Sequence, residues 1–144
     1  MIVVANHFNS KGGDDPLFGH RQPTVRVSED QRHAQARIVN AFARDIQRAD
    51  LLSNYVVLGD LNDFEFSETV QILQGFQMLD LYYLLPPNER YSYVFEGNSQ
   101  ALDHILVSPA LLFRLPEYDS VHVNAEFTPQ QSDHDPQVVR LRPN

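Results

Sequence analysis

The chain has 144 residues, of which 42% are hydrophobic, and a formal net charge of −8 at pH 7. This length is typical of one domain that buries about 70% of its unfolded surface, and the composition excludes a disordered protein. The net charge argues against binding nucleic acid mainly through a basic surface. It allows an enzyme whose carboxylates hold a divalent cation against a phosphate. Because cysteine is absent, disulfides and thiolate metal sites are excluded.

The first apolar segment, residues 2–5, predicts a short strand that ends in a polar, glycine-rich turn at residues 6–13. His7 and Lys11 lie in this turn, where the neighbouring glycines allow the backbone to approach an anion closely. An ordinary exposed loop is the simpler interpretation. Residues 14–27 predict a long loop. We expect neither a signal peptide nor a membrane span, because no apolar run is long enough.

An amphipathic helix is predicted to open at Ser28. Ser28 and Gln31 fit a capping box, and the acidic residues of the first turn suit the helix dipole. Apolar residues recur at helical spacing, and arginines interleaved with acidic residues are assigned mostly to the solvent side. The apolar set is Ile38, Val39, Phe42, Ala43 and Ile46, and the arginines are Arg32, Arg37, Arg44 and Arg48.

Residues 55–63 are an apolar run that ends in the sequence GDLND. They predict a strand that is buried on both faces and stops at an edge of its sheet. Asp60 and Asn62 are two residues apart, so they point the same way if the backbone stays extended. The alternative is a strand followed by a polar turn, because Gly, Asp and Asn favour turns for conformational reasons.

The remaining segments predict short elements. Residues 67–74 predict a helix that ends at Gly75, and residues 78–85 predict an extended segment. A hairpin is predicted in which residues 91–95 pair with residues 101–107 across a turn at Gly97 and Asn98. A helical turn at residues 109–112 and short strands at residues 119–124 and 138–141 complete the prediction, which favours an α/β or α+β sandwich.

Two more polar clusters carry residues suited to catalysis. Asp103 and His104 interrupt an apolar strand, which is either an edge strand with one solvated face or a strand with a functional buried carboxylate. Because adjacent strand residues point to opposite faces, only one of the two can enter a given site. Asp133 and His134 lie in the segment SDHDP just before the last predicted strand. A carboxylate beside an imidazole suits a metal ligand next to a general base, although a plain polar turn would look similar.

In combination, three of these segments resemble the motifs of the endonuclease/exonuclease/phosphatase superfamily, whose members have the DNase I-like fold. The segments are GDLN at residues 59–62, LDHIL at residues 102–106 and SDHDP at residues 132–136. The segments NHFNSKG at residues 6–12 and YSYVF at residues 91–95 are most similar to bacterial extracellular nucleases. The resemblance covers nearly the whole chain. It implies an α+β fold, an αββα sandwich with a mixed, mostly antiparallel sheet and outer helices.

The resemblance also implies catalytic roles for five residues. His7 would contact the scissile phosphate and assist the leaving group, and Asp103 would support His7. Asp60 would orient the attacking water or contact the metal and the phosphate, and Asn62 would bind the phosphate. His134 would be the general base, held by a neighbouring carboxylate.

The remaining implied roles concern the metal and the substrate. Asp133 and Asp60 would bind Mg²⁺, or alternatively Mn²⁺ or Ca²⁺. Asn6, Lys11 and Tyr93 would join Asn62 in contacting a nucleic acid substrate.

The superfamily domain is considerably longer than 144 residues, and its amino-terminal half carries an Asn and a metal-binding Glu. Nothing before His7 could supply them. We therefore expect residues 1–144 to form the carboxy-terminal portion of a single endonuclease/exonuclease/phosphatase domain. Its sheet face would bind the missing half of the domain or cause self-association.

The expected function is divalent-metal-dependent phosphodiester hydrolysis by a nuclease that acts on DNA or RNA. A phosphatase or a lipid phosphodiesterase on the same scaffold is the first alternative. A non-catalytic fragment that lacks the metal-binding Glu is the second. The resemblance implies an extracellular location, for which the residues themselves give no support.

Overall fold

The computed structural model describes residues 1–142, and among these it contains eight strands and three helices. The strands are β1 (Ile2–His7), β2 (Tyr55–Asp60), β3 (Leu79–Asp80), β4 (Tyr93–Phe95), β5 (Asn98–Gln100), β6 (Asp103–Val107), β7 (Glu117–Ser120) and β8 (Gln137–Arg140). The helices are α1 (Glu29–Ala49), α2 (Glu68–Gln74) and α3 (Pro109–Leu112). No helix within residues 1–142 has the length and hydrophobicity needed to cross a membrane.

The main sheet has four strands in the order β1-β2-β6-β3. β1 runs parallel to β2, whereas β6 is antiparallel to both β2 and β3. Two short antiparallel ribbons, β4–β5 and β7–β8, complete the strands. The expectation of an α+β fold with a mixed, mostly antiparallel sheet is confirmed.

The sheet has an apolar cluster on each face, which explains why Tyr55, Val56 and Val57 of β2 are all buried. On the helical face, Val57 packs with Leu106 and with the small residues Ala36 and Ala43 of α1. On the opposite face, Val56 packs with Val107, Leu111 and the side chains of the β7–β8 ribbon. Successive residues of a strand alternate between these two faces, so the sheet is covered on both sides along its centre.

β1 lies at the edge of the sheet and is more exposed than its apolar sequence predicts. Ile2 is 43% exposed and Val3 is 53% exposed. In the pairing with β2, Val3 lies beside Val56, and Ala5 lies beside Leu58. The first strand is therefore present as predicted, but no other part of residues 1–142 covers its residues Ile2, Val3 and Ala5.

α1 corrects three predictions. Ile38 is 70% exposed and Phe42 is 51% exposed, so the predicted apolar face is only partly buried. Arg32, assigned to the solvent side, is 1% exposed because two buried carboxylates contact it. The capping box at Ser28 is also wrong: the Ser28 hydroxyl donates to Asp14 Oδ2 at 2.6 Å instead of capping the helix.

The predicted hairpin is wrong in its second strand. β4 pairs with β5, in the register Phe95 opposite Asn98, and β6 instead joins the main sheet. Glu96 and Gly97 both have positive φ, which closes a tight two-residue turn immediately after Phe95. The shorter turn leaves residues 103–107 free to pair with β2.

The other short elements follow the sequence more closely. α2 begins after Ser67, whose hydroxyl accepts the Val70 N–H, and ends at Gly75 with φ of 52°. α3 matches the predicted turn at residues 109–112. The extended segment at residues 78–85 is shorter than predicted, because only Leu79 and Asp80 pair as a strand before a 3₁₀ turn at Leu81–Leu84.

Candidate active site

The pairing register of the main sheet lines up three polar side chains at one end. His7 is the register partner of Asp60, and Asp60 is the register partner of Asp103. Paired residues on neighbouring strands point to the same face, so the last positions of β1 and β2 and the first of β6 form a row. Within this row His7 Nε2 lies 3.4 Å from Asp60 Oδ2, and the His7 side chain is 75% exposed.

His134 joins this row from the loop before β8. Its Nδ1 lies 2.5 Å from Asp103 Oδ2, close enough for a hydrogen bond to the carboxylate. The hydrogen bond raises the pKa of the His134 imidazole above its ordinary value, although partial burial opposes the rise. Because Nδ1 is hydrogen-bonded to Asp103, Nε2 is the ring nitrogen that can accept a proton.

Ser92 is hydrogen-bonded to the Asp103 carboxylate. The Ser92 side chain is fully buried, and its hydroxyl donates to Asp103 Oδ2 at 2.7 Å. Ser92 Oγ in turn accepts the backbone N–H groups of Leu102 and Asp103 at 3.2 and 3.1 Å. The sequence reasoning missed this residue, and the only signal was a small polar residue within an aromatic strand segment.

Asp60 and Asn62 do not extend the strand as the simple spacing argument required. β2 ends at Asp60, and Asn62 has φ of 51°, so the backbone turns there. The Asn62 N–H donates to Asp60 Oδ1 at 2.8 Å, and its side-chain Nδ2 donates to the Phe8 carbonyl at 3.1 Å. The polar-turn alternative is therefore the correct local structure, and it still keeps Asn62 beside Asp60.

Burial raises the pKa of the Asp60 carboxyl, and the nearby negative charge of Asp103 acts in the same direction. The hydrogen bond from the Asn62 N–H partly offsets the rise. The negative charges of two neighbouring carboxylates repel each other, and a bound cation would reduce this repulsion.

Asp60, Asp103 and His134 are a group that could bind a metal ion. Each offers a ligand atom, and these atoms lie within 4.8 Å of one another. Carboxylate oxygens are the ligands that Mg²⁺ and Mn²⁺ prefer, so the two aspartates fit such an ion. A cavity of about 400 Å³ opens beside the group and is lined in part by Leu58, Ile105 and Gln137.

Asp135 orders the loop that carries His134. Its buried Oδ1 accepts the N–H groups of three consecutive residues, 123–125, and His122 Nδ1 lies 3.0 Å from Oδ2. Although burial opposes it, these hydrogen bonds lower the pKa of Asp135, which therefore stays ionised. On the other side, the Tyr93 ring packs against the His134 ring with centroids 4.8 Å apart.

The three predicted site residues not yet described also lie outside this group. Asn6 is on the opposite face of β1 from His7, and its side chain donates to the Val4 carbonyl. Asp133 is exposed next to His134 and is not in the group whose ligand atoms lie together. Their predicted roles in substrate and metal binding stay predictions.

The third, Lys11, has a buried Nζ that lies 3.6 Å from the centroid of the Phe64 ring, with no hydrogen-bond partner among residues 1–142. Burial lowers the pKa of the Lys11 amine to about 8, although the negative charge of Asp63 opposes the drop. Its role in substrate binding also stays a prediction.

The structure assigns Asp103 a different partner from the one that the resemblance implied. Asp103 contacts His134, whereas His7 contacts Asp60. The reason is geometric: β2 lies between β1 and β6, so Asp60 separates His7 from Asp103.

The alternation rule correctly separates Asp103 from its neighbour His104. His104 points to the opposite face, is fully buried, and has Nδ1 2.6 Å from Asp80 Oδ2. Burial alone would lower the pKa of His104, but the Asp80 carboxylate raises it above the ordinary value. The sequence reasoning identified neither this pair nor the role of Asp80.

Replacing Asp103 by asparagine is expected to lower the pKa of His134, because the hydrogen bond that raises it is lost while partial burial remains. In the native protein the pair stabilises the fold fully below pH 6.5, and this stabilisation is lost as the pH rises through the raised folded-state pKa. NMR titration of the His134 imidazole signals in the variant and in the wild type tests this. A His134 titration that is unchanged in Asp103→Asn contradicts the assignment.

Comparison with solved structures identifies the class of fold. The 3′ phosphatase NExo from Neisseria, bound to product DNA hairpin, matches 97% of this chain and 60% of its own chain, with 18% identity and a TM-score of 0.68. An endonuclease/exonuclease/phosphatase family protein from Bacteroides thetaiotaomicron matches 80% and 44%, with 20% identity and a TM-score of 0.57. The mannosyl-6-phosphatase Bt3783 from the same organism matches 81% and 47%, with 20% identity and a TM-score of 0.54.

The chain therefore has the DNase I-like fold of the endonuclease/exonuclease/phosphatase superfamily, as its motifs indicated. It spans between 44% and 60% of the length of these three structures. Neither a protein-family model nor a curated protein matches the sequence.

Proposed function

We propose that the protein takes part in divalent-metal-dependent phosphodiester hydrolysis, as a nuclease acting on DNA or RNA. The observation that carries the proposal is the row of His7, Asp60 and Asp103 with His134 hydrogen-bonded at its end. It combines a candidate general base, the carboxylate that orients it and a second carboxylate at one solvent-accessible end of the strands. The DNase I-like fold and the neighbours described as a 3′ phosphatase and as family members support this class of reaction.

In the proposed reaction, His134 Nε2 accepts a proton from the attacking water, whose oxygen bonds to phosphorus while the bond from phosphorus to the leaving oxygen breaks and that oxygen takes up a proton. Asp103 holds the ring through Nδ1 and stabilises the imidazolium that forms. The exposed imidazole of His7 and the Asn62 amide, at the other end of the row, donate hydrogen bonds to phosphate oxygens. These donors act on the charge that develops on the phosphate in the transition state.

Asp60 and Asp103 are the proposed ligands of a Mg²⁺ or Mn²⁺ ion, and Asp133 is a further proposed ligand from the neighbouring loop. The ion supplies positive charge that the acidic chain itself lacks when a phosphate binds. The pKa of Asp60 is raised first by burial and further by the charge of Asp103, and a bound cation would offset both effects, which supports this assignment.

Supercoiled plasmid DNA incubated with the chain tests the proposal. Nicking is expected with Mg²⁺ or Mn²⁺ and none in excess EDTA, because the carboxylates alone would repel the phosphate. The same incubation with Ca²⁺, the third ion that the resemblance allows, shows whether an ion with a larger and more flexible coordination shell also supports nicking. Nicking that survives EDTA contradicts the metal requirement, and no nicking with any ion contradicts activity of this chain on DNA.

Phosphomonoester hydrolysis is the second candidate. It is favoured by the fold match to a mannosyl-6-phosphatase, since the same row of groups serves either phosphate substrate. Turnover of a sugar phosphate or of p-nitrophenyl phosphate, without nicking of DNA, would favour this candidate over the nuclease.

We further propose that residues 1–144 are the carboxy-terminal portion of a longer domain, and that the rest of that domain covers the exposed part of β1 and supplies further site residues. The exposure of Val3 and Ala5 beside β2, next to the catalytic row, supports this. An uncovered apolar sheet edge also favours pairing between copies of the chain.

The chain alone is expected to self-associate at high concentration through β1. Val3→Lys should weaken this association, because a charged side chain on an edge strand opposes pairing. Phe76→Lys is the matched control, since Phe76 is fully exposed but lies outside the sheet. Sedimentation velocity measures the effect, and a monomeric wild-type chain at high concentration contradicts the expectation.

A further inference from the structure

Arg32 has the largest side chain among those that are less than 2% exposed. Its Nε donates to Asp63 Oδ2 at 3.1 Å, and its Nη2 donates to Asp14 Oδ2 at 3.2 Å. Both carboxylate side chains are buried, with exposures of 2% and 6%. A buried guanidinium is tolerated only when its donors and its charge are matched, and here two carboxylates do so.

The partners of Arg32 belong to the two loops that begin at the catalytic row. Asp14 lies in the loop that follows His7, and Arg32 Nη1 also reaches the carbonyls of Asn9 and Ser10 in that loop at 3.5 and 3.4 Å. Asp63 lies in the loop that follows Asp60. A single side chain on α1 thus contacts both loops.

Asp63 is fixed by more than Arg32. Its Oδ2 also accepts the Thr69 hydroxyl of α2 at 2.6 Å, and its carbonyl oxygen lies 2.9 Å from His104 Nε2 on β6. One residue of the loop after β2, Asp63, therefore contacts side chains of α1, α2 and β6. The loop after β1 is joined to α1 through Arg32, through the Ser28 N–H and hydroxyl, which donate to Asp14, and through the Asn9 N–H, which donates to Gln35.

We infer that Arg32 is a positioning residue for the candidate site, which sets the loops after β1 and β2 relative to each other. This rests on the proposed function above. The hydrogen bond from Asn62 Nδ2 to the Phe8 carbonyl is one direct contact between the two loops, and its geometry depends on their relative position. Arg32 does not touch the reacting atoms, and it acts through the placement of His7 and Asn62.

Arg32→Lys tests the inference, because a lysine keeps the charge but lacks the planar fork that reaches two carboxylates at once. Amide hydrogen exchange at residues 8–14 and 61–67 is expected to accelerate by at least about tenfold, since loss of a buried partner promotes local opening. Exchange at the centre of β2 and β6 should stay as in the wild type. Arg44→Lys is the matched control, because Arg44 is exposed on the same helix.

On the nucleic acid substrate, kcat of Arg32→Lys is expected to fall by about 10²-fold with KM nearly unchanged, because small displacements of catalytic groups act mainly on the chemical step. Uniform acceleration of exchange over the whole chain, or none, overturns the inference. If the wild-type chain shows no hydrolysis, the proposed function fails, and the exchange experiment still decides on Arg32.

Asp14→Asn is the second variant, in case Arg32→Lys does not fold. It leaves the pair with Asp63 intact and removes the charge of the carboxylate that accepts hydrogen bonds from both Arg32 Nη2 and the Ser28 N–H and hydroxyl. Faster exchange confined to residues 8–14 is the expected result. Exchange in that loop identical to the wild type contradicts a role of Arg32 in holding it.

Discussion

Replacing His134 by alanine is expected to lower the rate of plasmid nicking by about 10²–10⁴-fold, the usual contribution of a general base. The Asp103 carboxylate fixes the ring through Nδ1, so the variant loses both the proton acceptor and the imidazolium that Asp103 stabilises. The measurement is the initial rate of nicking at saturating Mg²⁺. His20→Ala is the control, because His20 is exposed in the loop before α1.

The losses caused by His134→Ala and Asp103→Asn should be coupled. The double variant His134→Ala, Asp103→Asn is expected to lose less activity than the product of the two single losses, because without the ring only the proposed role of Asp103 as a metal ligand is left to remove. If the losses of the two single variants multiply in the double variant, Asp103 does not act through His134. If His134→Ala retains the wild-type rate, His134 is not the general base.

The second large effect is expected on stability. Gly59→Ala should lower the free energy of unfolding by about 2–6 kcal/mol, the sum of backbone strain and displaced packing. Gly59 has φ of 131°, and a Cβ atom built there would lie 1.9 Å from the carbonyl oxygen of Asn6. The methyl group would therefore force β1 away from β2 at the residue pair next to His7 and Asp60.

Gly97→Ala is the matched control for this substitution. Gly97 also has a positive φ, 80°, but a Cβ atom there has no neighbour within 4 Å among residues 1–142. It should lose only about 1–2 kcal/mol, from the backbone conformation alone. Urea unfolding of both variants measures the difference, and equal losses would show that the contact with Asn6 does not matter.

The sequence predicted the elements that bear the site, because strong local patterns produced them. The run at residues 55–60 is apolar enough to indicate a strand buried on both faces, and its Gly-Asp end marks the sheet edge. The alternation rule correctly predicted that Asp103 and His104 serve different faces. In contrast, the burial of Arg32 could not be predicted, because its partners Asp14 and Asp63 are 18 and 31 positions away.

Long-range pairing also explains the errors in the middle of the chain. The segment at residues 101–107 has the composition of a hairpin strand, and only the turn geometry at Glu96 and Gly97 excludes it from that hairpin. Once released, it pairs with β2 and brings Asp103 beside Asp60. The role of Ser92 could not be predicted for the same reason, because its hydroxyl donates to the Asp103 carboxylate, 11 positions later in the chain.

The sequence by itself determined the kinds of groups available and the strand ends on which they lie, because local apolar patterns and turn residues act over a few positions. The tertiary structure alone decided that Asp103 pairs with His134 and not with His7, and that Arg32 joins two loops from within the core. These outcomes follow from strand order and from the need of buried charges for partners, and both depend on contacts between residues far apart in the chain.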